Sequence, residues 1–364
     1  MKFLFDFYTQ TDLLMLTAFT SIITLLIILK WNKFSSKFLA FEYQSIQRIH
    51  SSKTEIPRLG GLILFFGLCF CIFVNIDIDL WINIELKPIL LLLLICNIPL
   101  FFVALKEDIT YNVSPLVRLS AIILSSLIFI IIQPFGLPTI DIPILGNFLN
   151  FPVVSIIFFT IAHAGYCNGM NLIDGSNGLA GMVIFTTLLS IGFVAFMLAD
   201  LVFLYLVLIF IILIAIFLLF NYPWGSIFLG DSGAYLWGSL LASLAIMLYA
   251  RNDVPTWGAL VILFYPSAEM IFSFIRKKYQ KKNPFHPDPN HLHLKLYFII
   301  KKSIHRPKVA NSLVMPLISI VWLSPTMIIP WVFNDGILSM LTVVLLSIVY
   351  AGFYWALPSK KGRK

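Results

Sequence analysis

About eleven stretches of roughly 17–25 apolar residues follow one another along this chain, each long enough to cross about 30 Å of hydrocarbon as a helix. They lie at approximately 13–31, 59–76, 86–105, 119–135, 151–167, 178–198, 201–220, 234–250, 257–275, 311–333 and 337–357. A segment in lipid must satisfy its own backbone N–H and C=O groups, and runs of this length do so as helices. The chain therefore reads as an all-α polytopic membrane protein of about 10–11 transmembrane helices, forming a single integral membrane domain over 1–364. The hairpin between 178–198 and 201–220 is the boundary that sequence defines least, because little more than Asp200 separates the two runs. Composition agrees: 60% of residues are apolar, 12% are charged, and the mean hydropathy is +0.95, outside the range of soluble domains. The first run is too long for a signal-peptide core and lacks a small-residue cleavage site, so it is expected to be a retained anchor. Cys69, Cys71, Cys96 and Cys167 fall in or at the ends of apolar runs without metal-like spacing and read as packing residues. No internal repeat is visible.

Lys and Arg concentrate on cytoplasmic loops, and here they are very unevenly shared. Loops 32–58, 106–118 and 276–310 and the tail 358–364 hold nearly all of them, whereas the alternate loops hold Lys2, Lys87 and Arg251. This asymmetry places the N-terminus outside and the C-terminus in the cytoplasm. The net charge of +8 is then an orientation signal and an attraction for anionic headgroups or substrates, with no call for nucleic acid.

Five loops with unusual composition fall on that same cytoplasmic side: S-K-T-E-I-P-R-L-G-G (52–61), K-E-D-I-T (106–110), N-G-M-N-L-I-D-G-S-N-G-L-A-G (168–181), N-Y-P-W-G-S-I-F-L-G-D-S-G (221–233) and N-P-F-H-P-D-P-N-H-L-H-L (283–294). Polar groups and glycines gathered on one face suit an enzyme working at that surface. A transporter, or a flippase of lipid-linked sugars, places its site near the midplane. It remains the rival reading.

The residue types point to phosphate and metal chemistry. Asp231, in G-D-S-G before an apolar run, together with the Asn171 amide oxygen, would suit Mg²⁺, which takes one or two carboxylates plus substrate phosphates. Asp231 could instead simply N-cap the helix that follows it. Glu107 and Asp108 are adjacent acids that a fold tolerates when cations or donors compensate them, or else solvated loop charges. His286, Asp288, His291 and His293, surrounded by lysines, fit diphosphate binding better than a zinc site, which needs three convergent ligands. Lys53 and Arg58 precede Gly60 and Gly61, where cations could reach a phosphate. Glu269, an acid within an apolar run, sits about 10 Å before Arg276 along a helix and reads as structural rather than catalytic.

Taken together, P-R-L-G-G, an acidic pair followed by S-P-L-V-R-L, N-x-x-N-x-x-D-G-x-x-G-L-A, G-D-S-G and P-D-x-x-H-x-H occur in the order that resembles the polyprenyl-phosphate N-acetylhexosamine-1-phosphate transferases, glycosyltransferase family 4. The likeness covers roughly 50–300. It implies transfer of a HexNAc-1-phosphate from a UDP-N-acetylhexosamine to a polyprenyl phosphate in a bacterial cytoplasmic membrane, with release of UMP and with Mg²⁺ bound, Mn²⁺ being the alternative ion. It further implies Asn171 and Asp231 as metal ligands. Asp108, Glu107, Asp174, His291 and His293 become catalytic candidates, and Lys53, Arg58, Asn168, Asn177 and Asp288 substrate contacts. A homodimer is compatible with it. The sequence departs from the family pattern at Glu107, where many members carry Asp, at Leu294, where several carry His, and at Asn177, where some carry Asp.

Overall fold

A computed structural model describes residues 7–38, 56–74, 86–140, 146, 149, 151–281 and 288–358, with side chains of the first helix described over 12–30. Among these residues the regular structure is α-helical: α1 (Phe7–Phe38), α2 (Gly60–Val74), α3 (Lys87–Thr110), α4 (Pro115–Ile132), α5 (Pro152–Ile173), α6 (Leu179–Met197), α7 (Leu201–Asn221), α8 (Gly230–Asn252), α9 (Trp257–Ile262), α10 (Phe264–Tyr279), α11 (Leu292–Ile304), α12 (Pro307–Leu317), α13 (Ser319–Val332) and α14 (Gly336–Ala356). Among the described residues every expected apolar run overlaps helix. Among the described residues, nine segments are long and apolar enough to cross a membrane, α12 and α13 together counting as one, while α2 is shorter at 15 residues. The protein is an all-α, multi-pass membrane protein.

Local chemistry sets where these helices start and break. Ser114 caps α4, its hydroxyl accepting the Val117 N–H, and Pro115 takes the first turn, where a missing N–H costs nothing. Asp200 caps α7 through the Phe203 N–H and also holds Arg251 at 3.0 Å and the Asn252 amide at 3.1 Å, so the two-helix hairpin is pinned by its one acid. Run 257–275 is split at Leu263 because Pro266 has no N–H for the Ile262 carbonyl and its ring crowds that turn. Inside α3, Pro99 has no N–H for the Ile95 carbonyl, and beside it the Leu100 N–H donates to Ser125 Oγ of α4 at 3.1 Å, a neighbour-supplied bond of the kind that accompanies proline in membrane helices.

Basic segment 276–310, expected as a loop, is largely helical: α10 runs through Lys278, and α11 buries Leu292, Leu296, Tyr297 and Ile300 on one face while Lys301 and Lys302 end it. Its amphipathic pattern is too polar overall to register as a membrane run.

The hub is α8. Its apolar window is 94% buried, against 17% for α1 and 22% for α14, which turn their large side chains outward. Small residues make this burial geometrically feasible, as in membrane bundles generally: Gly238 lies against the backbone of Cys167 in α5, where a Cβ would approach to 2.8 Å. Deep in the bundle, His163 ties three helices together through Ser126 Oγ of α4 at 2.8 Å and Ser243 Oγ of α8 at 3.0 Å. Hub burial matters for function because the N-terminus of α8 is where the unusual loops meet.

Candidate functional site

The first turn of α8 presents backbone N–H groups that no intrahelical carbonyl can receive. Leu229, its N-cap, contributes no side-chain bond. The cap comes instead from 123 residues earlier: Asp108, at the end of α3, accepts the Asp231 N–H at 2.8 Å on one oxygen and the Ser232 N–H at 2.7 Å on the other. Asp231 is thus a first-turn residue and not the helix cap, and its carboxylate is turned elsewhere. It receives Arg58 at 2.8 Å and Arg118 at 2.6 Å, one guanidinium on each oxygen. Arg58 also lies 3.5 Å from Asp108, and Arg118 lies 3.7 Å from Glu107, whose other oxygen accepts the Val113 N–H at 2.9 Å. The adjacent acids are compensated, as their closeness requires. The positive end of the α8 dipole adds to that compensation.

Glycines serve the chain's own backbone at this point. The Gly60 N–H donates to Phe228 O at 3.0 Å, Gly61 N–H to Leu229 O at 3.2 Å, and Phe228 N–H to Pro57 O at 2.8 Å, so P-R-L-G-G and F-L-G-D are clasped together. Gly230 has φ of 76°, and a Cβ there would collide with the Arg58 carbonyl and Asp108. The close approach that the motifs suggested for a ligand is made, at these positions, by one loop to another.

Asn171, near the end of α5, donates its amide nitrogen to Tyr235 Oη at 2.8 Å, one turn along α8 from Asp231. Its carbonyl oxygen is left as the hard donor. Asp174 follows at the helix end. Burial pushes its carboxyl up to about 7, Asp231 adding to the rise, while Arg58 and the Gly230 amide pull it down. For Arg58 burial works against the charge, but Asp108 and Asp231 outweigh it and its pKa is raised.

The histidine motif flanks this cluster. His293 is buried beneath the Asp174–Gly175 turn so closely that a Cβ on Gly175 would strike its Nε2. Burial holds its pKa down at about 3, so it is neutral. His291 stacks parallel to His293 with ring centroids 6.0 Å apart, and its Nδ1 meets Glu269 Oε1 at 2.9 Å.

Structure therefore brings together Arg58, Glu107, Asp108, Asn171, Asp174 and Asp231, with His291 and His293 alongside. Three other expected residues spend their side chains on the fold. Asn168 bonds back to Ala164 O at 3.0 Å. Asn177 spans from its loop to Pro223 O and Ser312 Oγ, both at 3.2 Å. Asp288 accepts the Asn290 N–H at 2.9 Å and pairs with Arg276, its pKa lowered by these partners against burial. Lys53 and His286 lie outside the described residues. Sequence reasoning did not single out Arg118, although its S-P-L-V-R-L stretch was noted. Tyr235 carried no signal beyond its four-residue spacing from Asp231.

Among the described residues no group of three or more His, Cys, Asp or Glu side chains has metal-holding geometry. Magnesium does not require one, since it is commonly held by one or two carboxylates and the substrate's phosphates. Asn171 and Asp231 would offer oxygen atoms of the kind such an ion takes.

An all-α membrane bundle with a buried, charge-dense polar site at one end of its central helix defines the class of protein. The family model for glycosyl transferase family 4 matches residues 90–249 of this chain. It is 31% identical over 198 residues to an undecaprenyl-phosphate alpha-N-acetylglucosaminyl 1-phosphate transferase of Thermotoga maritima, covering 54% of this chain and 58% of the relative, so under two thirds of that relative's length is spanned. It is 26% identical over 261 residues to a phospho-N-acetylmuramoyl-pentapeptide-transferase of Streptococcus thermophilus, covering 68% of this chain and 76% of the relative.

Proposed function

We propose that this protein transfers a HexNAc-1-phosphate group from a UDP-N-acetylhexosamine to a polyprenyl phosphate, starting a lipid-linked cell-surface glycan such as an O-antigen or wall polymer. An oxygen of the lipid phosphate attacks the β-phosphorus of the donor, the bond from that phosphorus to the bridging oxygen breaks, and UMP leaves. The observation that carries the reading is the α8 N-terminus, where Asp231 is held between Arg58 and Arg118 with Asn171 and Asp174 beside it.

Phosphoryl transfer demands positioning and charge stabilisation more than covalent chemistry from the protein. Arg58 and Arg118 offer guanidinium groups suited to phosphate oxygens. In this reading they exchange Asp231 for a donor phosphate. Asp108 keeps the α8 amides and Arg58 in place, acting on the site through Asp231. A lipid phosphate is already an oxyanion near neutral pH, so no strong general base is needed, and Asp108 has both oxygens committed to backbone N–H groups. Asn171 and Asp231 would hold Mg²⁺, which supplies charge neutralisation at the phosphates when bound. The distribution of Lys and Arg supports a site that faces the cytoplasm, where nucleotide sugars are found, and the bacterial relatives support an inner-membrane location.

Release of UMP by the purified protein, supplied with a polyprenyl phosphate, Mg²⁺ and a panel of UDP-sugars, tests this directly. We expect release with at least one UDP-HexNAc and none from Asp231→Ala. Absence of UMP from every donor with folded protein would sink the proposal.

A further inference from the structure

Glu269 is an acid with no exposed surface, set in α10 among apolar residues, and both of its oxygens are occupied. Oε1 accepts His291 Nδ1 at 2.9 Å and the Leu292 N–H at 3.3 Å, and Oε2 accepts the Tyr350 hydroxyl of α14 at 2.8 Å. A buried ion of this kind is weak evidence for stability, because apolar replacements of such groups are often as stable. Its geometry instead constrains the imidazole. An ionised carboxylate only accepts hydrogen bonds, so Nδ1 of His291 carries the proton and Nε2 is the ring atom left for a ligand. The same face of α14 secures the surrounding segment. Arg276 donates to Tyr354 Oη at 2.6 Å and Lys295 to Tyr354 O at 2.7 Å, with Arg276 also paired to Asp288. The segment that carries His291 is thereby braced by the last helix, which lies beyond the 90–249 family match.

We propose that Glu269 and Tyr350 are positioning residues that act through His291, fixing its Nδ1–H on the carboxylate so that Nε2 engages a phosphate oxygen of the nucleotide-sugar donor. This rests on the transferase reading above. An Nε2 facing an anionic oxygen must donate, so the bound form is the imidazolium, and Glu269 stabilises that charge. The ionisable groups facing the pair are Tyr350, Tyr354, Tyr265, His293, Lys295 and Asp288.

The experiment is a double-mutant cycle on the full chain in detergent, measuring kcat/KM for the UDP-HexNAc donor in wild type, Glu269→Gln, His291→Asn, the double variant and Tyr350→Phe. We expect Glu269→Gln to lose about 10–100-fold, the range for removing a partner that orients a functional histidine, with KM raised more than kcat is lowered. Its alkaline limb should move to lower pH, because the imidazolium has lost its counter-charge. The double variant should match His291→Asn within about two-fold, the signature of coupled rather than independent sites. Multiplied losses, or wild-type kinetics in Glu269→Gln, would overturn the proposal. Tyr350→Phe, which leaves the carboxylate charge and the packing in place but removes the donor on Oε2, should lose activity and, by leaving a more basic carboxylate, move the limb to higher pH if Glu269→Gln does not fold. A Tyr350→Phe profile identical to wild type then counts against it. Nitrogen-15 spectra of labelled histidine read the Nδ1–H of His291 without turnover. Should no donor react, the transferase reading fails, while an Nδ1 signal unchanged by Glu269→Gln would separately refute the positioning.

Discussion

Replacing Asp108 by Asn separates two roles that activity alone would confuse. As a base or substrate contact, Asp108 could lose its charge with little effect on folding. Its carboxylate, however, takes two backbone N–H groups of the α8 first turn at 2.8 and 2.7 Å and is 1% exposed. Asparagine keeps one acceptor oxygen and turns an NH₂ toward the second N–H, so one charge-assisted bond is lost and one buried donor is left facing another. A hydrogen bond to a charged group contributes about 1.5–3 kcal/mol, and an unsatisfied buried donor costs about 1–3 kcal/mol. Because these overlap, the expected loss is about 2–4 kcal/mol, with Arg58 also losing the anion at 3.5 Å. Alanine, which orphans both amides, should cost more than asparagine. Thermal unfolding in detergent, followed by circular dichroism, measures it, and at about 2–4 °C per kcal/mol the asparagine variant should melt several degrees low. An asparagine variant inactive at unchanged Tm would refute the cap and restore Asp108 as a group acting directly in the reaction.

Three further outcomes are expected. Gly175→Ala drives a methyl into His293 Nε2, so activity should fall by at least about ten-fold, given how sharply rate depends on placement at the ångström level, while helical content is retained by circular dichroism. His293 is neutral in the fold with a pKa about 3, below its ordinary 6.5, so the unfolded chain binds the extra proton. Stability should therefore fall as pH drops through the window between those values, by about 1.4 kcal/mol per unit, and His293→Gln should flatten that slope in pH-dependent melting. Chelation with EDTA should abolish UMP release and Mg²⁺ should restore it. Activity persisting through exhaustive chelation would remove the ion from the proposal.

Membrane runs were legible in the sequence because spanning lipid imposes a length and a composition on each segment by itself. Even the tight hairpin at Asp200 could be placed, since an acid between two apolar runs is both a turn and a cap. What connects the segments was not legible. Asp108 capping α8, Arg118 reaching Asp231 and Glu269 holding His291 are pairings 123, 113 and 22 residues apart, and nothing in a local pattern names the partner. Glycines misled in an instructive way. Their presence correctly marked close approach, but Gly61 and Gly230 are needed because P-R-L-G-G and G-D-S-G pack on each other. His163 drew no notice because a lone histidine in an apolar run has no motif. Its function as a tie between helices depends on Ser126 and Ser243 from two other segments.

Charge balance at the site supports the proposed cation. Among the described residues the cluster holds four carboxylates, Glu107, Asp108, Asp174 and Asp231, against the guanidiniums of Arg58 and Arg118. The α8 terminus adds about half a positive charge. Even with Asp174 partly protonated near pH 7, this cluster is not positive. Its proposed substrates, a nucleotide diphosphate and a lipid phosphate, are both anions. Bringing them against Asp231 in a poorly solvated site would cost more than two arginines, already paired, return. A divalent ion shared between Asp231, Asn171 and the diphosphate would reverse that balance and release Arg58 and Arg118 toward phosphate oxygens. The donor and the ion should therefore bind together, each tightening the other, and in Asp231→Asn their mutual enhancement should shrink while donor binding without metal improves.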